Sequence, residues 1–416
     1  MNVEAHNDAG AWEAALRCMK KLRKAGFTAL LAGGCVRDRL LNRIPKDYDV
    51  VTDAHPEQVR AIFPRARLVG AKFGVVIVRS RGHEIEVATF RADAAYSDGR
   101  RPDAVRFGTA EEDARRRDFT INGLFYDPFE DRLIDYVGGR ADLQAGVIRT
   151  IGDPRERFAE DHLRMLRAVR FAARLGFHIE HRTWRAIEQL ASHLARISAE
   201  RIWMELALIL TDPSRARGWE LILDSGLRRY LAEPWTLQEG ERETGVRRLA
   251  ALPPRPVSEP LGLSAALGIR PTRETEAVAR ALRLSNELRR DTSWLVRSLP
   301  RALEPASLEL ADLKELRAHP RWDDLLELTR AELEARGTAT GAYEELRRRA
   351  GEIPADRLCP PPLLTGDDLC AMGWKPGPAL GEVLRALYRA QLNETIRTRE
   401  EAVRLAESLR TDGRGK

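Results

Sequence analysis

The chain has 416 residues, 69 Lys and Arg against 63 Asp and Glu, a formal net charge of +6 and a hydrophobic fraction of 43%. At about 100–200 residues per domain this length allows two to four domains with real cores, and with no apolar run of about 18 residues no membrane span is expected. The excess of positive charge favours a polyanionic partner only modestly, and Cys18, Cys35, Cys359 and Cys370 form no CxxC pair and have no His at zinc-finger spacing, so they read as reduced thiols of a cytosolic protein.

In chain order, the start MNVEAHNDAGAW lacks a basic stretch followed by an apolar one, so no secretory signal is expected. Residues 11–25 predict an amphipathic helix. Thr28–Leu31 predicts a short strand running into Gly33-Gly34, and Val36–Leu41 the start of a helix. DYDVVT, Asp47–Thr52, alternates as a strand does. Val75–Val78 and Glu84–Phe90 flank an Arg81-Gly82 turn and predict a hairpin. A polar loop, Asp93–Pro102, and a strand at Leu133–Val137 follow. Beyond about Asp153 strand signals nearly vanish and apolar residues recur at helical spacing, as in Leu163, Leu166, Val169 and Phe171. Pro-rich breaks at Pro253–Pro260 and Ile353–Pro362 are candidate linkers.

Several residues in the first part carry chemistry. A Gly-Gly turn between strand and helix lets backbone amides approach a phosphate, although an ordinary turn looks the same. On a strand, Asp47 and Asp49 share one face. Carboxylates so placed repel unless neutralised, and a pair of divalent cations does that. Mg²⁺ favours a few carboxylates plus substrate phosphates. Glu84 and Glu86 share a face of the following strand; Glu86, deeper in the apolar stretch, is the favoured third acid. An ion pair to a neighbouring Arg is the competing reading.

The order Gly33-Gly34, Arg37-Asp38, then Asp47-x-Asp49 resembles the polymerase-beta-type nucleotidyltransferases. Arg116–Asn122, RRDFTIN, closely resembles a motif of bacterial tRNA nucleotidyltransferases and poly(A) polymerases. Those families usually continue with Ala-Leu or Ala-Met; Gly123-Leu124 here loosens the expectation of a helix at that point. The resemblance implies that Asp118 and the neighbouring Arg116 and Arg117 hold ribose and triphosphate, with Asn122 beside them. A carboxylate suits a 2′-hydroxyl, and guanidinium forks suit phosphate oxygens.

Arg157–Arg167 resembles the EDxxR motif of the same families. On a helix Asp161 and Arg164 would share a face, and the resemblance implies that this acceptor–donor pair reads the incoming base in place of a template. Arg167 and Arg170 continue the stripe toward triphosphate or RNA, or toward solvent. Ser198–Arg201 with Glu205 resembles a further family motif that acts as a structural brace, and Ser198 has the character of a helix N-cap. Tyr96–Pro102 resembles the loop needed for adding a terminal A, which argues against a CC-only enzyme. Leu363–Leu369 and Gly373–Gly381 resemble the tail of long bacterial members, which holds tRNA. Arg385, Arg389, Arg397 and Arg399 offer further backbone contacts or form ordinary exposed faces.

The implied fold is an α+β head with a mixed sheet (1–150), followed by an all-helical neck (151–215), body (216–355) and tail (356–416). The implied reaction is template-independent addition of CCA, from CTP and ATP with two Mg²⁺ ions, to the 3′ end of tRNA held by its acceptor arm and elbow in the cytoplasm. Addition of A alone and poly(A) synthesis are the enzymatic alternatives, and a catalytically dead RNA-binding protein is the alternative outside that class. No His-Asp dyad with accompanying His residues is found, so phosphohydrolase activity is not expected.

Overall fold

A computed structural model describes residues 3–69, 74–92, 106–236 and 240–412. The chain divides into two compact units, Met1–Ile209 with Arg217–Glu233, and Leu210–Ala216 with Pro234–Lys416.

In the first unit the elements run α1 (Val3–Lys24), β1 (Ala29–Ala32), α2 (Gly34–Leu40), β2 (Asp49–Thr52), α3 (Pro56–Ile62), β3 (Arg67–Leu68), β4 (Val75–Ser80), β5 (His83–Thr89), β6 (Arg91–Ala92), β7 (Arg106–Phe107) and α4 (Ala110–Arg115). There follow β8 (Leu124–Asp127), β9 (Arg132–Asp135), α5 (Gly139–Ala145), β10 (Val147–Ile148), α6 (Pro154–Glu160), α7 (Arg164–Leu175), β11 (His178–Ile179), α8 (His181–Leu190) and α9 (Ala199–Leu210). Seven strands form one mixed sheet in the order β3-β4-β5-β2-β1-β8-β9. Within it β2 and β5 run parallel, and the other neighbours are antiparallel.

Strand β1 lies in the interior of the sheet and all four of its residues are buried, which is why ALLA shows no polar alternation. Leu30 and Ala32 pack with Val51, Phe90, Phe125 and Ala114 of α4 into one apolar cluster. The β4–β5 hairpin turns at Arg81 and Gly82, both at positive φ (49° and 83°), as a two-residue turn of this hand requires.

Three details differ from the sequence expectations. Strand β2 begins at Asp49, so Asp47 precedes it. RRDFTIN ends in a 3₁₀ turn, Thr120–Asn122, and the chain then enters not a helix but β8, which pairs with β1. A Cβ on Gly123 would sit 2.7 Å from Val137 Cγ2, so the glycine fits the space left between turn and strand. Strand structure also does not end at Asp153, because β10 and β11 pair in parallel across α6 and α7. The loop Tyr96–Pro102 lies outside the described residues.

The second unit is helical among the described residues. Its helix Glu259–Leu267 starts within the end of the Pro253–Pro260 break, with the Ser258 hydroxyl accepting the Leu261 N–H and Pro260 in the first turn. Beyond the second break, Leu364, Leu369, Val383, Leu387, Ile396, Ala402 and Ala406 form a core of their own. Thr365 and Asp368 close a capping box at the start of that segment. Arg389 ties it to Glu309 and Asp312 at 2.9 Å each. No helix among the described residues is long and apolar enough to cross a membrane.

Candidate active site

The first unit contains a polar cleft of about 650 Å³. Gly33 and Gly34, Arg37, Asp47, Asp49, Arg116, Arg117, Asp118, Asn122, Asp161, Arg164, Arg167 and Arg170 all line it. Residues spread over more than 130 positions of sequence therefore meet in one place. Gly33 has φ +73°, and a Cβ there would lie 2.7 Å from Arg117 Nη1. The position thus demands glycine for its conformation and again for the approach of Arg117.

The floor is acidic. Asp47 is exposed, Asp49 is partly buried, and Glu86 is the in-register partner of Asp49 across the parallel β2–β5 pair. Burial raises the Asp49 carboxyl to about 7; Asp47 and Glu86 push the same way, and Arg117 opposes them. Glu84, the other acid of that strand face, is engaged by Arg67 at 2.7 Å and Arg79 at 3.2 Å, so the ion-pair reading holds for it. Among the described residues no group of three or more His, Cys, Asp and Glu side chains is gathered closely enough to enclose a cation by itself. Mg²⁺ fits that donor set, because it binds through one or two carboxylates and completes its octahedron with water and phosphate oxygens. Burial pushes the neighbouring Cys35 thiol to about 12, which keeps it in the neutral thiol form.

The walls are arginines, most of them held by a carboxylate. Arg37 donates to Asp38 at 2.8 Å and to Asn122 Oδ1 at 2.7 Å, with both charged residues buried. Arg116 and Arg117 both fork onto Asp113, which is fully buried behind them on α4. Glu205 of α9 accepts from Arg170 at 2.6 Å and pairs with Arg167 at 3.5 Å, which gives the Ser198–Glu205 motif its bracing role. The guanidiniums of Arg37, Arg167 and Arg170 also lie 5.1, 5.5 and 4.4 Å from the centre of the Phe171 ring.

Asp118 is more committed than its motif suggested. Its Oδ1 accepts from the Phe119 N–H at 2.8 Å and Asn122 Nδ2 at 3.0 Å, and its Oδ2 accepts two bonds from Arg167 at 2.9 and 2.7 Å. A carboxylate has about four acceptor sites, so all are taken. Burial alone would raise this carboxyl; Arg167 and Asn122 more than offset it and hold it down to about 2.

The expected helix carrying Asp161 and Arg164 is broken between them. Helix α6 stops at Glu160, Asp161 is extended (φ −153°, ψ 103°), and α7 starts at Arg164. The Asp161 side chain accepts the Leu163 N–H at 3.1 Å, a local bond that competes with continuing the helix. The two side chains do not pair as helix neighbours. Asp161 accepts from Arg201 at 2.7 Å, and Arg164 donates to the Arg157 carbonyl at 2.8 Å and to Glu160. Both still face the cleft. The sequence reading missed Asp113, Glu160 and the Phe171 platform. Asp113 had a signal, since it lies three and four residues before Arg116 and Arg117 in a helical stretch.

Comparison with known proteins agrees with this arrangement. Residues 29–149 match the Poly A polymerase head domain, and residues 176–235 match the probable RNA and SrmB-binding site of polymerase A. A CCA-adding enzyme of Geobacillus thermodenitrificans is 36% identical over 408 residues, covering 94% of this chain and 95% of that protein. Poly(A) polymerase I of Salmonella typhimurium is 47% identical over 209 residues, 48% of this chain and 45% of its own. The solved structure of the Bacillus stearothermophilus CCA-adding enzyme in complex with CTP superposes with a TM-score of 0.78 at 32% identity, covering 100% of both chains. With an α+β head, a helical remainder and full-length similarity at this level, the chain belongs to the CCA-adding enzymes, a family of tRNA nucleotidyltransferases whose head is shared with bacterial poly(A) polymerases.

Proposed function

We propose that this protein builds the CCA end of tRNA in the cytoplasm from CTP and ATP, without a template, in the cleft of its first unit. The observation that carries the reading is the pair Asp47 and Asp49 in a cleft walled by anchored arginines, with Glu86 in register with Asp49 on the neighbouring strand. The Gly33-Gly34 turn and Arg117 hold the triphosphate. Asp47 and Asp49, with Glu86 beside them, hold two Mg²⁺ ions. When bound, the metals lower the pKa of the RNA 3′-hydroxyl and offset charge on the departing pyrophosphate. Asn122, fixed by Arg37 and Asp118, and Arg167 line the ribose and phosphate side, where Asp118 can exchange one Arg167 bond for a ribose hydroxyl. Asp161, anchored by Arg201, and Arg164, anchored by Glu160, present an acceptor and donors to the base edge. Holding each by a third residue allows small reorientations between C and A without building a second site. The tail, 356–416, with its own core and capped start, takes the elbow of the tRNA while the acceptor arm reaches the cleft.

Poly(A) synthesis is the second reading, favoured by the 47% identity to poly(A) polymerase I. That similarity covers 48% of this chain, whereas the CCA-adding relative spans 94% of it. Incubation of tRNAs ending before C, CC or A with CTP and ATP sorts the possibilities by product length. Growth to a completed CCA and no further is expected; an open-ended A tail supports poly(A) synthesis. Asp47→Ala is expected to abolish transfer while leaving RNA binding largely intact, and normal turnover in the purified variant would refute the metal assignment.

A further inference from the structure

Helix α9 braces the cleft with Glu205 and buries Ile202, Leu206 and Ile209. Beyond Arg201, the exposed residues of this helix are Met204 and Leu208, at 67% and 52%. Four apart, they stack one turn above the other on one face. Arg201, three residues before Met204, lies on that side too and holds Asp161. Leu208 itself lines the nucleotide cleft. The helix therefore extends an apolar ledge, exposed among the described residues, from the place where the base-reading residues sit.

The proposed reaction, on which this inference rests, needs two nucleotides in the cleft. The incoming one is read by polar groups. The other, the 3′-terminal nucleotide of the RNA, changes identity with every addition, so a polar seat selecting one base edge would stall the cycle. An apolar ledge meets the face of any base, since stacking is tolerant of sequence, and the soft, unbranched Met side chain adapts to each. We propose that Met204 and Leu208 form the seat for the base of the RNA's 3′-terminal nucleotide.

The test uses the full chain with both residues changed, Met204→Ser and Leu208→Ser; because both are exposed, thermal melting should match wild type. With tRNA lacking CCA and with CTP, the KM for RNA should rise about tenfold while the KM for CTP stays put, as loss of one base stack entails. The swap Met204→Leu with Leu208→Met should restore it. Separately, a tRNA carrying 2-aminopurine as its last base should be quenched on binding wild type and less so on binding the double variant. That titration needs no turnover, so it decides the seat even if the wild-type protein fails to extend RNA, a failure that would overturn the functional reading instead. An unchanged KM for RNA with unchanged quenching overturns the proposal. So does a rise confined to the KM for CTP, which would place the incoming base on the ledge, or an effect confined to self-association, which would make it a face for a second copy.

Discussion

Replacing Asp113 by Asn probes the wall of the cleft at its most buried support. The carboxylate is fully buried, accepts the Arg91 N–H at 3.2 Å, and takes two donors each from Arg116 (2.9 and 2.5 Å) and Arg117 (3.1 and 3.0 Å). Burial by itself would raise this carboxyl, yet Arg117 and Arg116 hold it below the ordinary carboxylate range, so the pair attractions outweigh desolvation. Asparagine keeps the shape, removes the charge and turns two donors toward the guanidiniums. It also leaves Arg91, which burial and both neighbouring arginines already push down to about 10, in a cluster of like charge. Breaking a buried ion pair costs about 3–5 kcal/mol. Because the Arg116 and Arg117 side chains keep 22% and 20% of their exposure, water relieves part of it and the lower end, about 3 kcal/mol, applies. At about 2–4 °C per kcal/mol for a unit of this size, the melting transition of the first unit should fall by about 6–12 °C. Arg117 would also lose its anchor beside Gly33, and the KM for CTP should rise about tenfold, the equivalent of one charge-assisted hydrogen bond. Calorimetry on the full chain and steady-state kinetics read both effects. Melting within 2 °C of wild type and an unchanged KM for CTP would refute Asp113 as the support of this wall.

Three further outcomes follow from the same geometry. Asp118 is held down to about 2 from an ordinary 3.8, worth about 2–3 kcal/mol of stability that is fully present above about pH 4 and lost as pH falls through about 2. In urea unfolding the deficit of Asp118→Asn should therefore shrink by about that amount between pH 5 and pH 2, and a constant deficit counts against the assignment. Gly33→Ala would put a side chain at φ +73° and 2.7 Å from Arg117 Nη1, costing about 1–2 kcal/mol in backbone strain alone; the protein should fold but transfer CMP at least about tenfold more slowly, and wild-type turnover would show the turn is not a phosphate seat. Arg201→Ala removes the 2.7 Å partner of Asp161, so UMP misincorporation into tRNA lacking CCA should rise, whereas unaltered selectivity would mean that Arg201 does not position the reader.

Much of the site was readable before the fold because its chemistry is written in short local patterns. Gly33-Gly34 falls between strand and helix, Asp49 and Glu86 lie on alternating strands, and RRDFTIN is a continuous run. What was not readable depends on pairings between distant segments or on competition within a few atoms. Strand β8 is placed by its register with β1, Leu31 opposite Tyr126, which no local window contains. The break at Asp161 arises because its side chain can satisfy the Leu163 N–H as well as a helical carbonyl would, a contest that apolar periodicity cannot express. Saturation of Asp118 required Arg167, 49 residues away, to be in place.

If the proposed reaction runs in the cleft, its charge balance lets one pocket take a triphosphate, a ribose and metals. A fork of unrestrained arginines would collapse onto the nearest acids, and Asp47 and Asp49 would be among them. Here Arg37 is committed to Asp38, Arg116 and Arg117 to Asp113, Arg164 to Glu160, Arg167 to Asp118, Arg170 to Glu205 and Arg201 to Asp161. Each partner fixes its guanidinium in direction while leaving other N–H donors for substrate. Among the described residues the ion pairs do not include Asp47, Asp49 or Glu86. Burial is the main cause of the raised Asp49 carboxyl, and repulsion from Asp47 and Glu86 adds to it. In the proposed reaction, divalent cations arriving with the nucleotide would offset that repulsion. In the proposed reaction the arginine anchors would therefore serve catalysis twice: they preorganise the donors that meet phosphate, and they keep those donors off the acids that would hold the metals.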